Sequence, residues 1–302
     1  MAQQRKNTGL VTVADISPLN TLPERSDQPH TGTGFDAPAR PAQESRSLNN
    51  VREVARHEIP QVIQLPLWYE PERGTPNSFL RSALFAAIQS KDRKFLKEAL
   101  LASTKDVTVK FTGEQLNQED LTVWENLVHL ARQHPLGTVF QFTAHGLLKK
   151  LGLHTGNHEH KRLHSTIIRL TACAVEITHH GKTYFGPLIK SGAKDELTRH
   201  YAVELNPQLI RLYGETQWTA LDCKRRLQLR RKPLAQALHG YYSSHARPLP
   251  VKLATLREIT GSSNPQLASF KRQIRIALDE LVKIQFFTGY RIEGDLVTVW
   301  RP

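Results

Sequence analysis

The chain has 302 residues, 39% of them hydrophobic, and a formal charge of +13, which is enough length for two packed domains and an irregular segment. Its first 60 residues hold seven Lys/Arg against seven Asp/Glu, so the positive excess falls in residues 61–302, where a polyanion such as nucleic acid is the expected partner. No apolar run approaches the roughly 18 residues of a spanning helix, the start lacks a secretory core, and Cys173 and Cys223 form no C-x-x-C pair; a reduced, cytoplasmic protein is expected, without a membrane or cysteine–metal role.

Residues 1–60 are rich in Ser, Thr, Pro, Asn, Gln and Gly and show no sustained apolar period, so disorder is expected there. The stretch QVIQLPLWYEP (61–71) then sets Ile63, Leu65, Leu67 and Trp68 among polar residues, with Pro66 and Pro71 forbidding a helix. Such a peptide either packs back on its own domain or inserts into a partner's groove, and the pattern alone favours its own domain. Residues 79–88 read as a short helix or irregular packed segment. The alternation in VTVKF (107–111) predicts a strand ended by a Thr112-Gly113 turn. Leu121, Trp124, Leu127, Val128 and Leu130 have helical spacing, and HPLG (134–137) closes that helix.

From here the chain says the same thing twice. HPLG leads through VFQFT to LLKKLG (147–152), a polar-faced helix over 156–171, and two strands, 174–178 and 182–189, around His180-Gly181. Later, a helix over 234–244 leads through RPLP (247–250) to LREITG (256–261), a helix over 264–284, and strands 285–292 and 295–300 around Glu293-Gly294. Helix, turn, helix, hairpin is the order of a winged helix-turn-helix, and a duplicated unit explains the recurrence. The fold class is therefore α+β: two tandem winged helix-turn-helix domains, 77–205 and 206–302, behind the N-terminal segment 1–60 and a linker over 61–76. Between the units lie a strand over 198–205, the capped turn NPQLIRLYG (206–214), and the basic run CKRRLQLRRK (223–232) with Arg225, Arg226, Arg230 and Arg231. That run is either a solvated helix face or a phosphate-facing one.

The major groove admits one α-helix, so a reading helix needs an apolar back and short or forked polar groups in front. In 264–284 the back is Phe270, Ile274, Ala277, Leu278 and Leu281, with Asn264 as N-cap and Pro265 at the first helical position. The front is Gln266, Ser269, Lys271, Arg272 and Arg275. Gln266 suits adenine, either arginine suits guanine O6 and N7, and Lys271 suits a phosphate. In 156–171 the back is Leu163, Ile167, Leu170 and Ala174, flanked by His158, His160, Lys161, Arg162, His164, Ser165 and Arg169.

Enzymatic readings fare worse. His154 with His158 and His160 with His164 have the i, i+4 spacing of zinc ligands, yet Arg162 stands where H-E-x-x-H needs its second histidine, and the cationic neighbours would repel a divalent ion. His158-Glu159-His160 departs from the His-apolar-His pair of a rolling-circle nuclease, and Tyr241-Tyr242 falls inside a helix. Gly181-Lys182-Thr183 lacks the first P-loop glycine, since Glu176 occupies it. No catalysis, metal or cofactor is expected.

Several stretches together resemble the TrfA-type plasmid replication initiators: QLPLW (64–68), RSALF (81–85), DVTVKFTGEQL (106–116), WENLVHLAR (124–132) and YYSSHARPLPVKLATLR (241–257). The resemblance implies two winged-helix domains gripping successive groove faces of one direct repeat (iteron) in a plasmid origin. It also implies local melting, recruitment of the host initiator DnaA and helicase DnaB, and exchange between an active monomer and an inactive dimer. In these initiators the peptide before the first domain is similar to the sliding-clamp-binding pentapeptide, so Gln64, Leu65, Leu67 and Trp68 become candidate clamp contacts, while Pro66 and Trp68 depart from the usual residues. A winged-helix repressor, and a rolling-circle nuclease, remain as alternatives.

Overall fold

A computed structural model describes residues 63–302; the segment expected to be disordered lies outside them. In chain order the elements are β1 (Glu72–Pro76), α1 (Asn77–Leu80), β2 (Phe85–Ala86), β3 (Phe95–Leu101), β4 (Val107–Glu114), β5 (Leu116–Asn117), α2 (Gln118–Ala131), β6 (Val139–Thr143), α3 (Ala144–Lys150) and α4 (Asn157–Ala172). There follow β7 (Ala174–His179), β8 (Lys182–Gly186), β9 (Ile189–Lys194), β10 (His200–Leu205), β11 (Trp218–Asp222), α5 (Cys223–Gln228), α6 (Pro233–Ser243), β12 (Val251–Lys252), α7 (Leu253–Ile259), α8 (Leu267–Lys283), β13 (Gly289–Glu293) and β14 (Leu296–Trp300).

Helix α2 starts where it does because Asn117 and Asp120 form a capping box. Asn117 Oδ1 accepts from Glu119 N and Asp120 N at 3.1 and 3.2 Å, and Asp120 Oδ2 accepts from Asn117 N at 2.9 Å. Its Leu121, Trp124, Leu127 and Val128 enter the first core, with the back of α4, Leu163, Ile167 and Leu170.

The expected duplication is present at the level of strand pairing. In the first unit β6 pairs with β10, which pairs with β9; in the second β12 pairs with β14, which pairs with β13. Each two-helix turn also ends its first helix in the same way. Gly152 N reaches Lys149 O and Leu153 N reaches Leu148 O, both at 2.9 Å; Gly261 N reaches Glu258 O at 2.9 Å and Ser262 N reaches Arg257 O at 3.1 Å. Those pairs are Schellman motifs, and their glycines take the left-handed φ of +60° and +61° that the motif requires.

Four expectations change. The hairpin at 174–178 and 182–189 is not the wing of the first unit: β7 and β8 extend β3 and β4 into a four-stranded sheet, and the wing is β9–β10. Ala174 begins β7 and is exposed, so it is no part of the helix back. The strand expected to turn at Thr112-Gly113 runs through both residues to Glu114. Helix α8 starts at Leu267 instead of after Asn264, because Asn264 Oδ1 accepts from Gln266 N at 3.1 Å, two residues on, and so forms a turn of its own. Leu209, Leu212, Tyr213 and Leu221 lie in the first core, held there by β11 pairing with β1, and Leu229 is the first residue of the second.

Candidate nucleic-acid interface

Helices α4 and α8 occupy the same position in their units, and each buries an apolar stripe: Leu163, Thr166, Ile167 and Leu170 on α4, and Phe270, Ile274, Ala277, Leu278 and Leu281 on α8. Their outer faces differ. On α8, Gln266, Arg272 and Arg275 are exposed, and neither arginine has a hydrogen bond or ion pair among the described residues. Lys271 Nζ donates to Gly294 O at 2.5 Å, which ties the helix to the turn of its wing, and Ser269 Oγ accepts from Asn264 Nδ2 at 2.9 Å.

On α4 the arginines are engaged. Arg169 donates to Asp120 Oδ1 at 2.9 Å and to Glu114 Oε2 at 3.2 Å, its side chain only 11% exposed. It ties α4 to α2 and β4, so its guanidinium is engaged within the first unit. Arg162 bonds Glu119 Oε2 at 2.8 Å and Glu159 Oε2 at 3.1 Å, which neutralises its half-exposed guanidinium. His164 Nδ1 lies 3.2 Å from the Tyr201 hydroxyl, and His158 Nδ1 lies 3.4 Å from Glu159 Oε1. Burial, and then Arg199, push the His160 imidazole below its ordinary range. That leaves Lys161 and Ser165 as the exposed polar groups of α4 without a partner among the described residues.

The basic run divides likewise. Arg226 is fully buried: its Nε lies 2.9 Å from Glu125 Oε2, and its Nη2 donates to Gln118 Oε1 at 3.0 Å. Arg230 donates to Leu151 O at 2.8 Å, and Arg225 Nε stands 3.6 Å from Asp222 Oδ2. Arg231 alone of the four is exposed with no partner among the described residues, at a left-handed φ of +63°.

The peptide QLPLW packs against the first unit through two of its residues. Leu65 and Trp68 are 3% and 7% exposed, whereas Leu67 is 76% exposed, and Gln64 also faces outward. Trp68 Nε1 donates to His129 Nδ1 at 3.0 Å, and the indole stacks on Tyr213 with centroids 6.2 Å apart. Of the four candidate clamp contacts, Leu65 and Trp68 lie in the core of the first unit, while Gln64 and Leu67 face outward. His129 Nε2 meets Glu70 Oε2 at 3.0 Å, and burial, then Arg73, lower its pKa to about 4, so the ring is neutral and Nδ1 accepts from the indole.

Sequence reasoning missed both wings as carriers of charge. On the first, Arg199 Nη2 donates to Asn157 Oδ1 at 3.0 Å, joining the wing to the start of α4, and on the second Arg291 pairs with Glu293 at 3.3 Å. The pairing of β6 and β12 with their wings was the signal, and it is not visible in local periodicity. Among the described residues no group of three or more His, Cys, Asp or Glu is arranged to hold a metal ion, and no helix is long and apolar enough to cross a membrane.

A helix-turn-helix with a β-wing, repeated in one chain with both second helices solvent-facing, defines a tandem winged-helix protein. The profile of the TrfA protein family matches residues 42–301, and the chain belongs to that family. It is 24% identical over 251 residues to the plasmid replication initiator protein TrfA of Escherichia coli, covering 80% of this chain and 64% of that protein. To RepFIB replication protein A of Salmonella typhi it is 24% identical over 195 residues, covering 61% of this chain and 60% of that one. The chain therefore spans less than two thirds of these relatives' length. A crystal structure of domains 2 and 3 of RctB superposes with a TM-score of 0.54 at 12% identity, covering 74% of this chain and 98% of that one, a likeness of fold.

Proposed function

We propose that the chain is a plasmid replication initiator that binds direct repeats in its origin, acting by binding alone and without catalysis. The observation that carries the reading is the pair of unpartnered guanidinium groups, Arg272 and Arg275, on the exposed face of α8, in a family whose Escherichia coli relative is a plasmid replication initiator. Arg272 or Arg275 takes guanine O6 and N7 and Gln266 takes adenine. Lys161, Ser165 and His158 serve α4 in a second groove segment, and Lys271, Arg231 and the wing residues Arg199 and Arg291 meet phosphates. Strain from adjacent bound copies helps open the duplex, and DnaA and DnaB are then recruited.

A second copy of the chain competes with DNA-bound monomer through the outer face of the four-stranded sheet. Phe95, Leu100 and Phe185 are exposed there, and Lys110 and Glu176 pair at 3.1 Å between Leu100 and Phe185 in register. A two-fold axis along the strands between Lys110 and Glu176 sets cation against anion and Leu100 against Phe185. Replacing Phe95, Leu100 and Phe185 by Ser leaves a monomer by sedimentation; an unchanged dimer removes this face from the account.

The test of function is a gel shift on duplexes carrying head-to-tail repeats from the plasmid, an inverted repeat of the same element, and a scrambled one. Preference for head-to-tail repeats, steeply weakened by salt, is expected. Preference for the inverted repeat would point to a repressor, and a site-specific nick with covalently attached protein to a nuclease.

A further inference from the structure

The engaged arginines of the two units form part of a line of ion pairs and hydrogen bonds that, linked through α2 and α6, runs from α4 to α8. From α4, Arg162 reaches Glu119 at 2.8 Å and Arg169 reaches Asp120 at 2.9 Å, both on α2. From α2, Glu125 meets Arg226 of α5 at 2.9 Å, and Gln118 Oε1 meets the same guanidinium at 3.0 Å. Arg226 Nη1 and Gln236 O, on α6, stand 3.5 Å apart. At the far end Lys232, the residue before α6, pairs with Glu280 of α8 at 2.6 Å.

Apolar contacts on the same boundary leave no slack. A Cβ on Gly240 of α6 would stand 2.9 Å from Leu80 Cδ2, and one on Gly261 would stand 2.8 Å from Ala86 Cβ, so both glycines permit an approach that no other residue allows without a shift. Ala87 N also donates to Thr260 O at 2.7 Å, and Arg81 Nε to Ser244 Oγ at 3.0 Å.

We propose that this line is a strut that fixes the separation of α4 and α8, with Arg226 as its positioning residue, so that the protein measures the distance between two groove segments as well as their sequence. Arg226 and Glu125 are each 1% exposed and reach neither DNA nor solvent. Flexible tethering of two domains would need none of this; a Gly/Ser linker lets each domain find its own groove. The ruler role rests on the proposed binding of repeats, while the strut itself does not.

The label distances use the full chain with Cys173→Ala and Cys223→Ser, spin-labelled at the exposed positions Ile168→Cys on α4 and Ile276→Cys on α8, and the affinities use the unlabelled chain. One narrow distance distribution is expected. Adding Glu125→Met with Arg226→Met removes the central link without leaving a buried charge unpaired, and the distribution should broaden. On repeat DNA with one base pair inserted between the two protected segments, the parent chain should lose about tenfold in affinity, the cost of about one wrong base contact, and the double variant less than about threefold. Should the double variant melt early, Arg226→Lys decides: intermediate breadth supports the strut, parental breadth overturns it. Equal distributions and equal insertion losses in both chains overturn the proposal. A parent chain with no preference for repeats would refute the proposed function, and the label distances, measured without DNA, would still decide the strut.

Discussion

Helices α4 and α8 hold the same place in two copies of one unit, and their basic residues do different things. On α8 the arginines face solvent unopposed; on α4 Arg162 and Arg169 are neutralised by Glu119, Glu159, Asp120 and Glu114. The difference teaches that charge counted along a helix is not charge available to a phosphate or a base. The first unit uses its arginines for cohesion, because Asp120 is fully buried at the cap of α2 and needs cations, Arg93 at 2.9 Å as well as Arg169.

The largest way to break this comparison is Arg272→Ala with Arg275→Ala. Each bidentate pair discriminates by about 1–3 kcal/mol, so repeat-specific binding should disappear into a weaker nonspecific background in a gel shift. Unchanged affinity would remove α8 from the interface. Next, Arg169→Ala should cost about 2–4 kcal/mol of stability by denaturant titration, below the full penalty of a lone buried charge because Arg93 remains. Its footprint should be unaltered once the chain is folded, and a lost footprint at unchanged stability would return Arg169 to the DNA.

Acidification tests whether both units bury their polar groups alike. Burial, then Arg73, lower the His129 pKa to about 4 in the first unit, and burial, then Arg226, lower that of His239 to about 3 in the second. Between an unfolded value of about 6.5 and these folded values, the unfolded chain takes protons that the folded chain refuses, so stability is full above pH ~6.5 and falls toward pH ~4. Protonation at His129 Nδ1 also removes the acceptor of the Trp68 indole, so His129→Gln should flatten the acid-side loss seen by tryptophan fluorescence; an identical profile would sever that link. The smallest expected effect is Arg231→Ala, a uniform loss of affinity across sequences with the salt slope reduced by about 1.

Much of the fold was legible because helical periodicity is local: the stripes Leu163-Ile167-Leu170 and Phe270-Ile274-Leu278-Leu281 identify both reading helices without any tertiary knowledge, and LLKKLG and LREITG mark their turns. What stayed hidden is non-local. A hairpin looks alike in sequence whether it pairs with β6 or with β4, so β7–β8 passed for the wing. A basic side chain looks alike whether water or a carboxylate meets it, so the carboxylates that engage Arg169 and Arg226 were not visible in the helix face or the basic run. The partners of Arg226 lie 101 to 108 positions away in the chain, at Glu125 and Gln118. The same holds for Trp68: the partner of its indole, His129, lies 61 residues away.

The central claim, that two helices read one repeat and that α8 supplies the main base contacts, is tested most directly by methylation interference at guanine N7 on the plasmid's own repeats. The account predicts two contacted major-groove segments per repeat, about one helical turn (~10.5 base pairs) apart on one face of the duplex, with strong interference in one segment and weak interference in the other. A single contacted segment per bound chain, or equal interference in both, would contradict it.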